Sequence, residues 1–326
     1  MQLYRAETPG PVKDNKMTPR IADTAKHLWY IYLSITIACA GAYWLAGMNV
    51  FDAICHSFST VAIGGFSNHD ASLGYFNSPM VNVVCTVFLL IAALNFSLHY
   101  AAVSSRSVKG YFNDPEFKAF FIIQASLIGI CFLVLTLSGY YSSAEQALDQ
   151  AMIQAVSIST TAGFATTDFS VWPAFLPIML IFSSFIGGCA SSTGGGLKVV
   201  RVCLLFLQGK REVDRLIHPK AVYSVKFGDR AMPDRVVEAV WGFFSAYAVV
   251  FVIIMIGLIA TGLDNLSAFT ATAAMLNNLG PGLGSVAANY ADVTDAGKWI
   301  LVIAMVFGRL EVFSLLVLFS PTFWRS

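Results

Sequence analysis

Three runs, Leu28 to Met48, Pro79 to Val103 and Arg235 to Gly262, carry almost no charge, and each is long enough to cross a bilayer. A soluble domain also hides apolar residues, but it covers them with charge. Here 56% of the 326 residues are hydrophobic, only 12% are charged and the mean hydropathy is +0.67, so the solvent for most of the chain is lipid. Gly, Pro and aromatic residues recur inside the apolar stretches, as membrane helices tolerate. A formal net charge of +1 offers nothing to a polyanion, and no nucleic-acid partner is expected.

Basic residues cluster before the first run (Arg5, Lys13, Lys16, Arg20, Lys26), between the second and third crossings (Arg106, Lys109, Lys118) and from Lys198 to Arg235, and Arg325 lies at the end. The alternate connections hold Lys298 and acids such as Asp70, Glu145, Asp149, Asp168, Asp264, Asp292 and Asp295. The positive-inside rule assigns the basic loops to the cytoplasm, which puts both termini of the chain there and demands an even number of crossings. Six candidates meet that demand: 28–48, 79–103, 117–139, 172–208, 235–262 and 297–319. No short apolar core with a cleavage site opens the chain, so no secretory signal is expected.

The cysteines Cys39, Cys55, Cys85, Cys131, Cys189 and Cys203 fall in or beside apolar stretches without metal-site spacing and read as buried free thiols. His56 and His99 lie in apolar surroundings with no second ligand at helical spacing, so packing is the expected role of each.

One pattern recurs three times: a spanning helix, a shorter half-apolar segment, a small-residue turn and another spanning helix. The short segments start at Asn49, at the capping box Ser142-Ser143-Ala144-Glu145, and near Asp264-Asn265. They break at Thr60-Val61-Ala62-Ile63-Gly64-Gly65-Phe66, at Ser159-Thr160-Thr161-Ala162-Gly163-Phe164, and at Asn277-Asn278-Leu279-Gly280-Pro281-Gly282. At roughly ten to sixteen residues these helices are too short to cross about 30 Å of hydrocarbon, so each enters and returns on one side. Irregular backbone survives at that depth only when buried in protein or facing water, and three such turns imply a shared aqueous path.

None of the three turns contains an acidic side chain, so carboxylates are not the ligands. The main chain remains. Glycine allows backbone conformations closed to other residues, and successive carbonyls can then replace a cation's hydration shell. The short helices also aim their C-terminal ends, with roughly half a negative charge each, at the same place, which repels an anion.

Thr60 to Phe66, Ser159 to Phe164 and the Asn277 to Gly282 turn resemble the selectivity filters of the Trk/Ktr/HKT potassium transporter superfamily, closest to its bacterial TrkH-type branch. The resemblance covers the whole chain, including the stretch from Gln2 to Pro11. With Gly65 set against Gly163, Ala62 aligns with Thr160 and Ile63 with Thr161. Asn277 and Asn278 fit those columns if Gly280 takes the glycine position, with Gly282 as the competing choice. The resemblance implies an all-α integral membrane protein with repeats two to four of a pseudo-fourfold pore, and so a pore subunit truncated before its first repeat. The implied potassium-binding residues are Ala62, Ile63, Gly64, Gly65, Thr160, Thr161, Ala162, Gly163, Asn277, Asn278, Leu279 and Gly280. The transported ion is the only ligand and no bound cofactor or enzymatic activity is expected.

A further segment, Gly187-Gly188-Cys189-Ala190-Ser191-Ser192-Thr193-Gly194-Gly195-Gly196-Leu197-Lys198, interrupts what would be one crossing. Gly, Ser, Thr and Lys are the usual parts of a phosphate loop, but the required order fails because Val199, not Ser or Thr, follows Lys198, and no strand precedes it, which favours gating over nucleotide binding. The segment is similar to the family's intramembrane gating loop, which assigns Gly187, Gly188, Ser191, Ser192, Thr193, Gly194, Gly195 and Gly196 to a gate. Arg309, an ionisable group at membrane depth, and Lys198 join it as an electrostatic barrier. The expected organisation is an N-terminal cytoplasmic segment (1–27), a second pore repeat (28–103), a cytoplasmic loop (104–116), a third repeat with the loop 187–196 (117–208), a cytoplasmic loop (209–234), a fourth repeat (235–319) and a tail (320–326). The resemblance also implies a bacterial inner-membrane location, a homodimer and a cytoplasmic nucleotide-binding regulatory subunit, TrkA-like, docked on the basic segment from Lys198 to Arg235. Two rival classes are weaker. A secondary transporter of a small solute needs broken helices in inverted halves, whereas these repeats share one orientation. An enzyme needs convergent acid, base or metal ligands, which are too sparse at membrane depth.

Overall fold

The computed structural model describes residues 21–310 apart from 174, with side chains from residue 25 onward. In chain order its helices are α1 (Ile21–Leu45), α2 (Val50–Val61), α3 (Pro79–Ala92), α4 (Phe96–Ser105), α5 (Lys109–Asn113), α6 (Pro115–Leu137), α7 (Ala144–Ser159), α8 (Leu176–Ser184), α9 (Val199–Ile217), α10 (Asp234–Ala260), α11 (Asn265–Leu276) and α12 (Asp295–Leu310). A two-stranded hairpin, β1 (Lys226–Phe227) with β2 (Arg230–Ala231), sits in the basic segment before α10.

Three repeats are built by one rule. The outer helices α1, α6 and α10 all stop at a glycine in the left-handed region: Gly47 (φ +106), Gly139 (φ +63) and Gly262 (φ +101). In each the next N–H reaches back to a last-turn carbonyl, Met48 to Tyr43 at 3.1 Å, Tyr140 to Leu135 at 3.3 Å and Leu263 to Leu258 at 3.4 Å. Only glycine takes that conformation without a Cβ penalty, so the chain leaves all three helices along the same path. It then reverses into the short helices α2, α7 and α11, of 12, 16 and 12 residues. Asn49 and Asp264 cap the first and third, accepting from the N–H groups of Asp52 (2.8 Å) and Ser267 (3.1 Å). The second is capped one residue later than the sequence suggests: Ser143 is extended and accepts from Gln146, while Ser142 donates to the Gln146 side chain. Such a cap stabilises a helix start by about 1 kcal/mol.

Among the described residues α1, α6 and α10 are long and apolar enough to cross a membrane unbroken, and their outward faces, with Ile37, Leu133 and Ile253, are exposed to the lipid side. The remaining crossings differ from an uninterrupted helix. The expected span 79–103 bends by 89° between α3 and α4. Asn95 caps α4 through the Ser97 N–H (2.8 Å), and the freed Ala93 carbonyl accepts from the Cys189 N–H (2.8 Å), so the break is satisfied by protein rather than left to lipid. The span 172–208 resolves into the nine-residue α8, the glycine-rich loop, and α9, which carries charge as far as Arg215 and is tied to α10 by an Arg211–Asp234 bond of 2.6 Å. The last span starts at Asp295, and its remainder, with Glu311 and Arg325, lies outside the described residues, as does the segment 1–20.

Each outer helix packs on the short helix of its own repeat, α1 on α2, α6 on α7 and α10 on α11. The following helix packs on the short helix of the next repeat, α3 on α7 and α8 on α11, which turns the three copies about a common centre. Small residues make the close approach possible: Ser267, Ala268, Thr270, Ala271, Thr272, Ala273 and Ala274 of α11 are all buried. In lipid, van der Waals contact of this kind drives helix association in place of the hydrophobic effect. Cys39, Cys85, Cys131 and Cys189 are buried free thiols as expected, but Cys55 and Cys203 are only half-buried. His56 bonds the Asp52 carbonyl (2.8 Å) and Ser67 (2.9 Å), and His99 bonds Tyr111 (2.6 Å) and the Ile91 carbonyl (3.0 Å), so both serve the scaffold.

Candidate functional site

At the centre of the three repeats the short helices end in one hydrogen-bond pattern. Ile63, Thr161 and Asn278 donate to Thr60, Ile158 and Met275 at 3.0, 3.0 and 3.1 Å. The next residues, Gly64, Ala162 and Leu279, donate to Ser59, Ser157 and Ala274 at 2.7, 2.8 and 2.7 Å. These paired bonds consume the last-turn carbonyls and fix the direction in which each turn leaves its helix. The residues that turn the corner are left-handed although none is glycine: Ile63 (φ +53), Thr161 (φ +70) and Asn278 (φ +55). Two are β-branched, so each is held at a cost of about 1–3 kcal/mol by the surrounding structure. Sequence reasoning gave the special backbone to the glycines alone; no residue type at positions 63 and 161 signals it.

Two residues on, Gly65 (φ +68), Gly163 (φ +85) and Gly280 (φ +102) are left-handed in their turn. Gly280, not Gly282, therefore occupies the third glycine column, which settles the register left open by the sequence. A Cβ on Gly65 would overlap the Ala162 carbonyl, and one on Gly163 would overlap the Leu279 carbonyl. Main chain thus meets main chain at both junctions between successive turns. A Cβ on Gly280 would meet nothing within 4 Å, while the Gly280 carbonyl accepts from the Tyr290 hydroxyl at 2.7 Å.

The polar side chains of the turns are engaged within the scaffold. Thr160 Oγ1 donates to the Val156 carbonyl (2.7 Å), Thr161 Oγ1 accepts from the Gly195 N–H (2.7 Å), and Asn277 is held between the Tyr247 hydroxyl (2.8 Å) and Ser184 (3.0 Å). Asn278 Nδ2 donates to the Met305 carbonyl (3.1 Å) while its Oδ1 is buried without a partner. What these turns can present to an ion is chiefly backbone, at the negative ends of three helix dipoles. Tyr247 and Gln124, which bonds Ser159 at 2.9 Å, are struts from the outer helices that sequence reasoning missed, because an isolated polar residue in an apolar helix has no motif.

The glycine-rich loop crosses directly under these helix ends. Thr193 Oγ1 donates to the Val61 carbonyl (2.8 Å), Gly194 would bring a Cβ to 2.9 Å from the Thr160 carbonyl, and a Cβ on Gly195 would overlap the Asn277 carbonyl. One strand therefore touches the last turn of all three short helices. Its base is closed by the Leu197, Lys198 and Val199 N–H groups bonding the Phe185, Ile186 and Gly188 carbonyls at 2.8, 3.0 and 3.1 Å. Gly187 and Gly196 are left-handed and pack against one another. Ser191 accepts from the Phe96 N–H (3.3 Å) through its carbonyl, and Ser192 accepts from Lys198 (3.5 Å). Lys198 also bonds the Gly194 carbonyl, and Arg309 Nη1 reaches the Thr193 carbonyl at 3.1 Å, so two cationic side chains lie on the loop crest. All twelve turn residues and all ten loop-associated residues singled out in the sequence come together in this one region.

The sequence model of a cation transport family, TrkH, matches residues 1–326. The chain belongs to the TrkH family. Curated relatives include the "Trk system potassium uptake protein TrkH" of Vibrio parahaemolyticus, 66% identical over all of this chain and 68% of that protein. The protein of the same description from Escherichia coli K12 is 61% identical over the whole chain and 68% of its own length. A solved structure, "Crystal Structure of the Potassium Transporter TrkH from Vibrio parahaemolyticus", matches with a TM-score of 0.90 and 65% identity, covering 94% of this chain and 66% of that one. The chain thus spans about two thirds of the length of these TrkH relatives, and like them it is an all-α integral membrane protein.

Proposed function

We propose that the chain contributes three walls of a potassium uptake pore, with a filter made of backbone carbonyls from Ala62–Gly65, Thr160–Gly163 and Asn277–Gly280. The observation that carries this reading is the threefold copy of one strained backbone turn, joined glycine to carbonyl across the Gly65–Ala162 and Gly163–Leu279 junctions. A left-handed residue is common where a helix ends, but its recurrence at the same point of three otherwise different sequences, each time followed two residues on by a left-handed glycine, supports a shared ion path. The naming of the relatives as potassium uptake proteins supports the same ion. A conducting path needs a further wall on the open side of Gly280, supplied in the complete assembly.

The loop 187–196 acts as the gate. While it lies across the helix ends, a dehydrated cation leaving the filter meets the backbone of Thr193 to Gly195 and the charges of Lys198 and Arg309. Movement of the loop opens the way, and the glycines give it the freedom to move. In this reading the basic loops face the cytoplasm of a bacterial inner membrane, two copies form a dimer, and a nucleotide-binding regulatory subunit docks on the segment from Lys198 to Arg235 and moves the loop. Rubidium and potassium flux into proteoliposomes that hold the complete gated-open assembly tests it: saturable flux of both ions over sodium is expected, and a complete absence of flux refutes it.

A further inference from the structure

Glu116 stands at the start of α6, two residues after the cap Asp114, where an acid ordinarily faces solvent and complements the helix dipole. Here it is only 3% exposed. A buried carboxylate must be hydrogen-bonded, and this one spends a single oxygen, Oε1, on two backbone donors: the Ala190 N–H at 2.7 Å and the Val200 N–H at 3.2 Å. Those two residues flank the loop. The loop residues that touch the ends of the three short helices, Thr193 to Gly195, lie between them. The carboxylate therefore fastens the loop where it leaves α8 and where it enters α9, and it does so from α6, the outer helix of the same repeat. A cavity of about 720 Å³ on the side of the basic loops is lined by Glu116 with Asn95, Asp114, Lys118, Val200 and Arg230, so the fastening point is reached from that side without passing the filter.

We propose that Glu116 is a positioning residue of the gate, a latch whose carboxylate holds both ends of the loop and so keeps its crest beneath the filter. The inference rests on the gating role given to the loop above, and two readouts separate the two. The complete assembly carrying E116A or E116Q is compared with wild type by unstimulated rubidium flux in proteoliposomes and by hydrogen exchange of the segment 187–200. Removing the carboxylate is expected to raise basal flux by about tenfold, equivalent to ~1.4 kcal/mol of lost loop restraint, and to speed exchange at Ala190 and Val200. Gln keeps the shape and an acceptor oxygen but not the charge, so E116Q is expected to give a smaller rise of about threefold. A mere folding defect lowers flux, and a retained gel-filtration profile identifies folded protein. A folded variant with basal flux at or below wild type and unchanged exchange overturns the latch. If E116A does not fold, E116Q alone decides by the same criteria. Faster exchange with no flux even from wild type upholds the latch and sinks the pore reading instead.

Discussion

Replacing Gly163 by alanine isolates what the junction between two turns contributes. Gly163 has φ +85, and an alanine held there pays roughly 1–2 kcal/mol for a left-handed L-residue. Gly139 at φ +63 pays the same, but nothing lies within 4 Å of a Cβ there. At Gly163 the new methyl overlaps the Leu279 carbonyl, which must retreat by on the order of an ångström to reach even a tight contact. That carbonyl sits in the turn after α11, so the displacement passes from the middle repeat of this chain to the last. A misplacement of that size in a site that depends on fixed oxygen positions costs about 100-fold in rate. Thermal unfolding followed by gel filtration, paired with rubidium flux in proteoliposomes, separates the two substitutions. G139A is expected to lose a few degrees of stability and keep its flux, and G163A to lose more stability and about 100-fold of its flux. Folded G163A with flux within about threefold of wild type refutes the assignment of this junction to the ion path.

Tyr247→Phe removes the donor to the buried Asn277 Oδ1 and leaves that acceptor unpaired, an expected loss of about 1–3 kcal/mol in stability together with weaker discrimination of potassium from sodium in competition flux. Asp264→Ala removes the cap of α11 and is expected to cost about 1 kcal/mol in chemical unfolding. Hydrogen bonds from Ser267 hold the Asp264 carboxyl below its ordinary range, so its stabilisation is complete above that range and fades as pH falls through the lowered value; the wild-type advantage over D264A should shrink in acid and not in alkali.

Much of this architecture is legible in residue order. Apolar length identified the outer helices, and Asn49 and Asp264 marked the starts of two short ones. Recurrence of small-residue turns located the break that follows each short helix. What escaped was set by contacts distant in sequence. The carbonyl freed at the bend after Ala92 is satisfied by Cys189, and Glu116 reads as an ordinary helix-start acid until Ala190 and Val200 arrive beside it; the left-handed Ile63 and Thr161 belong to local turns, closed by Gly64 to Ser59 and Ala162 to Ser157, that no residue type signals. The cap of α7 fell on Ser143 rather than Ser142 because adjacent serines offer the same chemistry, and only backbone geometry distinguishes them.

The strand from Thr193 to Gly195 fills the space under the short helices by itself, reaching all three helix ends from a single repeat. Four identical subunits around an axis would each present such a strand to a space that admits one. A loop placed in this way therefore suits a chain whose repeats are covalently joined and free to differ, because only one of them can carry it.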